Sequence, residues 1–466
     1  KNAQVFNLNN LLVQDGASVT LQSSGSLPVS LSDEGTMVLG QVEAAELGSD
    51  GRVPVTLGSG TPFRGIESAW LTVENGMLIF NSRRDTRNQY ALKAASANAR
   101  AGAGLMWELP NSLLRESPDL AALTQALDAA TGRSADRLLA ASAGAGVAAL
   151  GVAAMGDLER QLKAIRNRTT SMGLDPQMVY DDLPLFNAWV NAEGDRRELN
   201  ADGTDSGYSL SSWGATVGVD VDFSPSFTAG IAFTGMYGDF QAKSPDHAEG
   251  DMDHYYLTLF GRYAARRWTH TLVAAVGWAD VSLNRHVNFP GGSYRTHGST
   301  DGNSFGFLYE LGYVIPLDED NNACLQPIFN ISYRHIALDS FTERGSDAAL
   351  HFGSQEMDTV SFGLGARAQT YALENMLNRR SLLEARMLLK VDAGDVRSNA
   401  DIALRALRSR TGRVRSAEMG RVGLEMGAGI SVPVGVDYGY LFLDGSFEFR
   451  ADMMDINGTV GYRLSF

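Results

Sequence analysis

The side chains best suited to chemistry in this chain are ionised groups spaced so that a fold would have to pair them. Asp157, Glu159, Arg160, Lys163, Arg166 and Arg168 fall within one helical run, acids near its start and bases near its end. That order complements a helix dipole. Farther on, full charges recur at alternate positions of strand-like segments, as at Glu384, Arg386 and Lys390. Such spacing suits mutual neutralisation and not a reaction. No Gly-x-Ser-x-Gly elbow, Walker loop or His-Glu-x-x-His run occurs. The seven histidines are scattered, and Asp220/Asp222 and Asp251/Asp253 each line one strand face, so no metal site is expected. Cys324 is the only cysteine, which excludes a disulfide framework. The chain reads as non-enzymatic and without cofactors.

These charges need elements to hold them. The 466 residues include 50 Gly and 13 Pro and carry a net charge of −15, which argues against nucleic acid as a partner. The chain begins Lys1-Asn2-Ala3, as processing or a trimmed fragment would leave it. Residues 1–88 are short strand-like runs (Leu11–Val13, Ser18–Leu21, Met37–Leu39, Val53–Leu57) with turn residues between them. Trp70–Val73 and Met77–Phe80 flank Glu74-Asn75-Gly76, a hairpin signal. The spacing suits an all-β segment, with stacked β-helix rungs as one form. Residues 89–182 read as helical: Leu120, Leu123 and Leu127 keep helical spacing, with a start at Pro118-Asp119 and a stop at Thr131-Gly132. Leu138–Gly156 is uncharged over 19 residues but built of Ala and Gly, which predicts a helix packed against protein, not one crossing lipid.

From Leu183 to Phe466 the period is 2. Trp213, Ala215, Val217, Val219, Val221 and Phe223 alternate with Gly214, Thr216, Gly218, Asp220 and Asp222. Twelve such strands start near Phe186, Ser209, Phe227, Asp253, Thr269, Ser304, Cys324, Thr359, Ser381, Ala417, Gly439 and Met453. Short turns (Phe223–Phe227, Ala265–Trp268, Pro316–Ala323, Glu374–Arg379) alternate with longer polar loops (Asp195–Tyr208, Gln241–Asp251, Asn284–Asn303, Thr342–Met357, Asp395–Ser416). Even strand number and segregated loops predict an all-β transmembrane barrel of about 12 antiparallel strands. Tyr255, Tyr263, Trp268, Trp278, Tyr309, Tyr313, Tyr333, Tyr438 and Tyr462 lie towards strand ends, where interface girdles form.

An even count puts both barrel ends on one side. The helix Ala153–Arg168 is ~24 Å long, close to the apolar band of a barrel of about 25 Å. It is too polar for lipid and is predicted to plug the lumen (about 153–172), with a place beside the barrel as the alternative. Glu193, Asp220, Arg262, Glu310, Arg334, Arg367, Glu384, Arg386, Arg421, Glu425, Glu448 and Arg463 are the lumen-facing partners expected to meet it.

At this point the residues resemble the C-terminal translocator of autotransporters, the type V secretion family. Ser211–Asp220, ending Gly218-Val219-Asp220, resembles the family's early Gly-rich strand, and Ser226–Phe233 continues it. Asn457–Phe466, with Gly458, Gly461, Tyr462, Leu464 and terminal Phe466, resembles its last strand; Ser96–Ala101 resembles the stretch before the linker helices. The resemblance implies a bacterial outer-membrane barrel anchored in lipid. It implies insertion by the barrel assembly machinery with periplasmic chaperones, and export of the chain's own N-terminal passenger to the cell surface. It also implies that the last strand is read during assembly. Some members cut between two adjacent Asn in the lumen helix; here Asn167 stands alone between Arg166 and Arg168, so an uncut chain or another protease is expected. The alternative is a stand-alone outer-membrane adhesin or pore with ligand-binding loops.

Overall fold

The computed structural model describes residues 6–12, 19–21, 36–46, 51–57, 66–84, 88–107, 109–171, 185–319, 322–374, 380–434 and 439–466. They fall into two compact units: Lys1–Lys93 with Met106–Ala130, and Ala94–Leu105 with Thr131–Phe466. The first unit holds β1 (Phe6–Leu12), β2 (Val19–Leu21), β3 (Thr36–Glu46), β4 (Val53–Leu57), β5 (Ile66–Glu74) and β6 (Met77–Arg84). Their order is β1-β3-β6-β5-β4-β2. β1 and β3, and likewise β2 and β4, pair in parallel, as stacked coils do. The β5–β6 hairpin then pairs antiparallel with both β4 and β3, covering edges that would otherwise stay open. Asn75 (φ 52°) and Gly76 (φ 74°) make its turn, the left-handed pair an Asn-Gly hairpin needs. Val13, Ser18 and the start of the chain lie outside the described residues.

The helical stretch comprises α1 (Gln89–Lys93), α2 (Ala97–Met106), α3 (Asn111–Glu116), α4 (Pro118–Ala129), α5 (Gly132–Ser142) and α6 (Ala149–Ser171). Leu120, Leu123 and Leu127 are buried, as their helical spacing predicts. No single described helix is long and apolar enough to cross a membrane. All of Leu138–Gly156 is buried inside its unit. Residues 172–182 of the predicted linker lie outside the described residues.

The second unit is built on twelve long strands: β7 (Leu185–Leu199), β8 (Gly207–Ser224), β9 (Phe227–Lys243), β10 (Ala248–Ala265), β11 (Trp268–Phe289), β12 (Gly292–Tyr313), β14 (Ala323–Leu338), β17 (Gln355–Glu374), β18 (Arg380–Gly394), β21 (Val422–Val434), β22 (Gly439–Arg450) and β23 (Met453–Ser465). A two-residue strand, β13 (Ile315–Pro316), hangs on β14. Neighbours pair antiparallel throughout, and β23 closes on β7 with Tyr462 opposite Val190 and Leu464 opposite Ala188. Phe186 and Phe466 exchange both backbone bonds at the seam, at 3.1 and 2.8 Å. The sheet is therefore a closed barrel, and no unpaired edge faces outward.

Side chains alternate as the period predicts. On β8, Val217 is 53% exposed while Thr216 is 1% exposed. Phe223 stacks on Phe227 near the short-turn end, and Trp213 lies 5.1 Å from Tyr237 higher up. Ten residues separate Phe227 from Tyr237, the length a tilted strand needs to cross hydrocarbon. Tyr438, expected in a girdle, lies outside the described residues, as do 375–379 of one turn.

Several predicted loops are strand. β9 and β10 run on to a turn at residues 244–247, and β11 and β12 each reach 22 residues, joining at Pro290-Gly291. The strands near Asp253, Ser304 and Thr359 accordingly begin earlier, at Ala248, Gly292 and Gln355, while the one near Ala417 begins at Val422. Residues 342–357 and 395–416 hold short strands of their own: β15 (Phe341–Thr342), β16 (Leu350–Phe352), β19 (Asn399–Leu404) and β20 (Leu407–Arg415), which form a separate four-stranded sheet. The cause is a change of phase. Above the girdle, inward Val281, Leu283 and Val287 are buried and outward Asp280 and Asn284 are exposed, so pairing continues after the apolar outer face ends.

A closed sheet resists unfolding, so unheated protein should run faster on a denaturing gel than boiled protein. Val217→Arg places a charge in mid-band and should cost about 2–4 kcal/mol in vesicle refolding, read from urea titration.

Candidate functional site: the occupied lumen

The lumen is filled by α6. Its 23 residues make a helix of ~34 Å, sequence-linked through residues 172–184 to β7 at the short-turn end. The start of α6 lies at the long-loop end, where Gly151 N–H donates to Gln355 (3.3 Å). Leu158, Leu162 and Ile165 form a buried apolar stripe at helical spacing. It packs against β12 at Gly306, where a Cβ would come within 2.9–3.0 Å of the two leucines. Glycine at that wall position gives the helix its room.

Every predicted charge of the helix is buried and meets the wall. Asp157 lies 3.3 Å from Arg197 and 2.8 Å from His254 Nδ1. Glu159 is held by Arg334 and Lys390, with Arg450 at 3.6 Å. Arg160 approaches Asp195 (3.3 Å) and Glu193 (3.8 Å). Lys163 donates to Glu448 (2.7 Å), with Asp455 at 3.6 Å. Arg166 donates to Glu425 (2.5 Å), with Glu310 at 3.6 Å. Arg168 donates to Asp220 (2.5 Å) and lies 3.9 Å over the Trp189 ring. Gln161 adds bonds to Thr234 and Thr258 at 3.0 and 3.1 Å.

Other predicted residues pair wall to wall. Arg367 binds Glu310 (2.8 Å) with Glu384 at 3.4 Å, and Arg386 binds Asp444 (2.6 Å). Arg463 binds Asp222 (3.1 Å). Arg262 is half-buried and shares a small cleft with Arg168, Asp220 and Asp222. Arg421 differs from expectation. It is exposed ahead of β21 and donates to the Gly394 carbonyl (3.1 Å), because the strand begins only at Val422. Gly461 packs against the Phe442 ring, whereas Gly458 faces open space. Phe466 is 69% exposed. Sequence reasoning missed Arg197, His254, Lys390, Asp392, Arg450 and Asp455 as partners. Lys390, Asp392 and Arg450 share the strand phase of Arg386 and Glu448, a signal that was available. Arg197 lay in a segment read as loop. Between Ala164, Asn167, Asn191 and Asp444 a small cavity remains, with room for about two or three waters. Among the described residues no group of His, Cys, Asp and Glu could hold a metal.

At the long-loop end the chain turns sharply into α5 through residues 143–148. Gly144 (φ +69°) sits under Phe352 and Leu350, so both backbone and space exclude a side chain. Arg285 donates to Glu343 (2.6 and 2.8 Å) and to the Ala141 carbonyl (3.1 Å), which holds the end of α5. Gly146 N–H donates to Asp246 (3.1 Å); burial pushes this carboxyl up, with Arg285 opposing.

Removing one partner of a buried pair strands the other charge. Glu159→Ala should therefore cost about 3–5 kcal/mol, against under about 1 kcal/mol for Arg196→Ala on the exposed wall, both read as shifts in denaturant midpoint.

A family model described as autotransporter beta-domain matches residues 188–446. Among solved structures, the translocator domain of the autotransporter NalP from Neisseria meningitidis is 18% identical, with a TM-score of 0.54 over 69% of this chain and 99% of that one. The beta domain of the Bordetella autotransporter BrkA is 15% identical, with a TM-score of 0.45 over 60% of this chain and 100% of that one. No curated protein matches. The match over residues 188–446 spans more than half of the 466 residues and coincides with the barrel, so the chain belongs to the autotransporter family, by its outer-membrane beta-domain.

Proposed function

We propose that the barrel supports export of its own N-terminal passenger and displays it at the cell surface, with residues 1–88 as the passenger's end. The observation that carries this reading is the path of α6. Its chain runs from the elbow at the long-loop end, through the lumen, towards β7 at the short-turn end. A segment threaded this way, with the short-turn end in the periplasm, leaves everything before it outside. The parallel strand pairs of the first unit suit a coil-stacked passenger capped by the β5–β6 hairpin. In this reading α6 is the last piece to stop in the lumen, where its charges hold it. An open pore is disfavoured, because the ion pairs leave little free section.

Planar-bilayer conductance should be small for the whole chain and rise severalfold when 153–168 is deleted; equal conductance would place the plug outside the current path. Protease added to intact cells should remove residues before about 130, and complete protection would sink surface display.

The terminal strand carries a second proposal, recognition by the barrel assembly machinery and periplasmic chaperones. Tyr462, Leu464 and Phe466 face outward, while Arg463 and Ser465 face the lumen. Deleting Phe466 removes little buried surface, so packing alone predicts near-normal refolding in detergent and normal membrane yield. Recognition predicts normal refolding but a sharp fall in inserted protein; wild-type yield in cells would refute it.

A further inference from the structure

The small sheet over the mouth has two unlike faces. Strand pairing runs from the upper part of β12 to residues 341–344, then through β16 and β19 to β20: His297 bridges Arg344, Thr342 opposes His351, His351 opposes Ala403, and Ala403 opposes Thr411. Paired residues share a face. The inner face is apolar: Phe341 stacks on Phe352 at 5.0 Å, and Leu350, Ile402 and Val414 are buried. The upper part of the outer face carries a basic cluster. His286 opposes Arg295, His297 opposes Asn284, and Arg344 stands beside His297; Arg295, His297 and Arg344 are exposed. Arg408 reaches the same surface, donating to Thr342 at 3.2 Å. Carboxylates share this face: Asp401 is taken by Arg413 at 2.6 Å, Glu249 lies in the row of Asn284 and His297, and Asp253, Asp280 and Asp301 form a row below it. The basic cluster belongs to a chain of net charge −15.

Location selects the occupant. His286, Arg295 and His297 continue the outward-facing phase of β11 and β12, the one that carries Trp278 and Phe305 in the membrane. Eight residues separate Trp278 from His286, ~26 Å along the strand and ~20 Å in height once it tilts. The basic residues thus stand on the upward extension of the lipid-facing wall, above the Asp253, Asp280 and Asp301 row, at the height of a glycolipid's sugar head group. We propose that Arg295, Arg344 and Arg408, flanked by His286 and His297, bind the phosphate-bearing head groups of lipopolysaccharide. Guanidinium groups suit phosphate by paired, charge-assisted bonds. The inference rests on the reading that the long-loop end faces outward.

The test titrates the detergent-folded full chain with labelled lipopolysaccharide and with the same lipid after chemical dephosphorylation. The phosphorylated form should bind, and added salt should weaken it. The triple variant R295Q/R344Q/R408Q should bind at least about tenfold more weakly, as loss of several charge-assisted contacts implies. R295K/R344K/R408K should keep part of the affinity, and R196Q, at an arginine already paired with Glu198, should match the parent. Gel mobility of unheated protein checks each variant's fold. Equal binding of the dephosphorylated lipid, or an unaffected triple variant, overturns the proposal. So does binding of a soluble sulfated polysaccharide with none to lipopolysaccharide. Orientation is read separately, by labelling S293C in a C324S background on intact cells with an impermeant maleimide. Labelling without lipid binding sinks the proposal alone. No labelling, with binding intact in detergent, sinks the outward orientation and the lipid as occupant.

Discussion

The structure is organised by one requirement: a helix with four bases and two acids sits where bulk water cannot solvate it. Taking such charges out of water costs several kcal/mol each unless partners replace the lost hydration. The wall supplies them at every second residue, since only alternate side chains face inward. Buried pairs of this kind add little net stability over an apolar core. What they add here is position. Asp157 is matched near one end by Arg197 and His254, and Arg168 near the other by Asp220. A slide of one turn, about 5.4 Å, would draw Glu159 away from Arg334, Lys390 and Arg450 together. Ion pairs therefore fix the depth of the helix more sharply than an oily stripe could.

The same strands meet a second requirement above the membrane. Within hydrocarbon the outer face must be apolar and the lumen polar. Beyond the girdle the outer face meets an aqueous layer, and the inner face meets α5 and the elbow. Val281, Leu283, Val287 and Tyr294 turn apolar inward, and Asp280, Asn284 and Arg295 turn polar outward. The backbone ladder never stops, so one strand carries two opposite patterns of burial. The inverted part packs residues 143–148, mostly Ala and Gly, and the absence of a side chain at Gly144 leaves room for Phe352 and Leu350. The long uncharged run is thereby used up as a protein-packed turn and needs no lipid.

Most of the barrel was legible because lipid imposes period 2 on every strand, and because turns and loops segregate by side. β8 is the plainest case, each residue from Trp213 to Asp222 facing as its type suggests. The helix was legible as a plug because its charge forbids lipid; the expected span Ala153–Arg168 matched the band, whereas α6 runs on at both ends to ~34 Å. Legibility failed where the physical cause changed. The upper halves of β11 and β12 read as loops, since their apolar residues switch phase and the outer face becomes polar. Arg197 was lost with the top of β7 for the same reason. Arg421 was placed inside by extending a phase one residue past the true strand start. Pairing between distant residues, such as Asp157 with His254, leaves no local trace at all.

The ion pairs also tie the helix to the closure of the sheet. Asp220 on β8 accepts from Arg168 and lies 3.7 Å from Arg463 on β23, while Asn187 on β7 donates to it at 2.7 Å. Lys163 bridges to Glu448 on β22 and Asp455 on β23, and Asp455 in turn lies 3.3 Å from Arg197 on β7. The helix's partners thus come from the first strands and the last, on both sides of the seam. Before β23 meets β7, Asp455 is not yet beside Lys163 and Arg197, and the helix lacks part of its site. Once the seam forms, the helix spans it and opposes its reopening with charges that would be stranded. Closure and occupancy are therefore coupled events, although the sheet's own backbone bonds across the seam involve none of the helix.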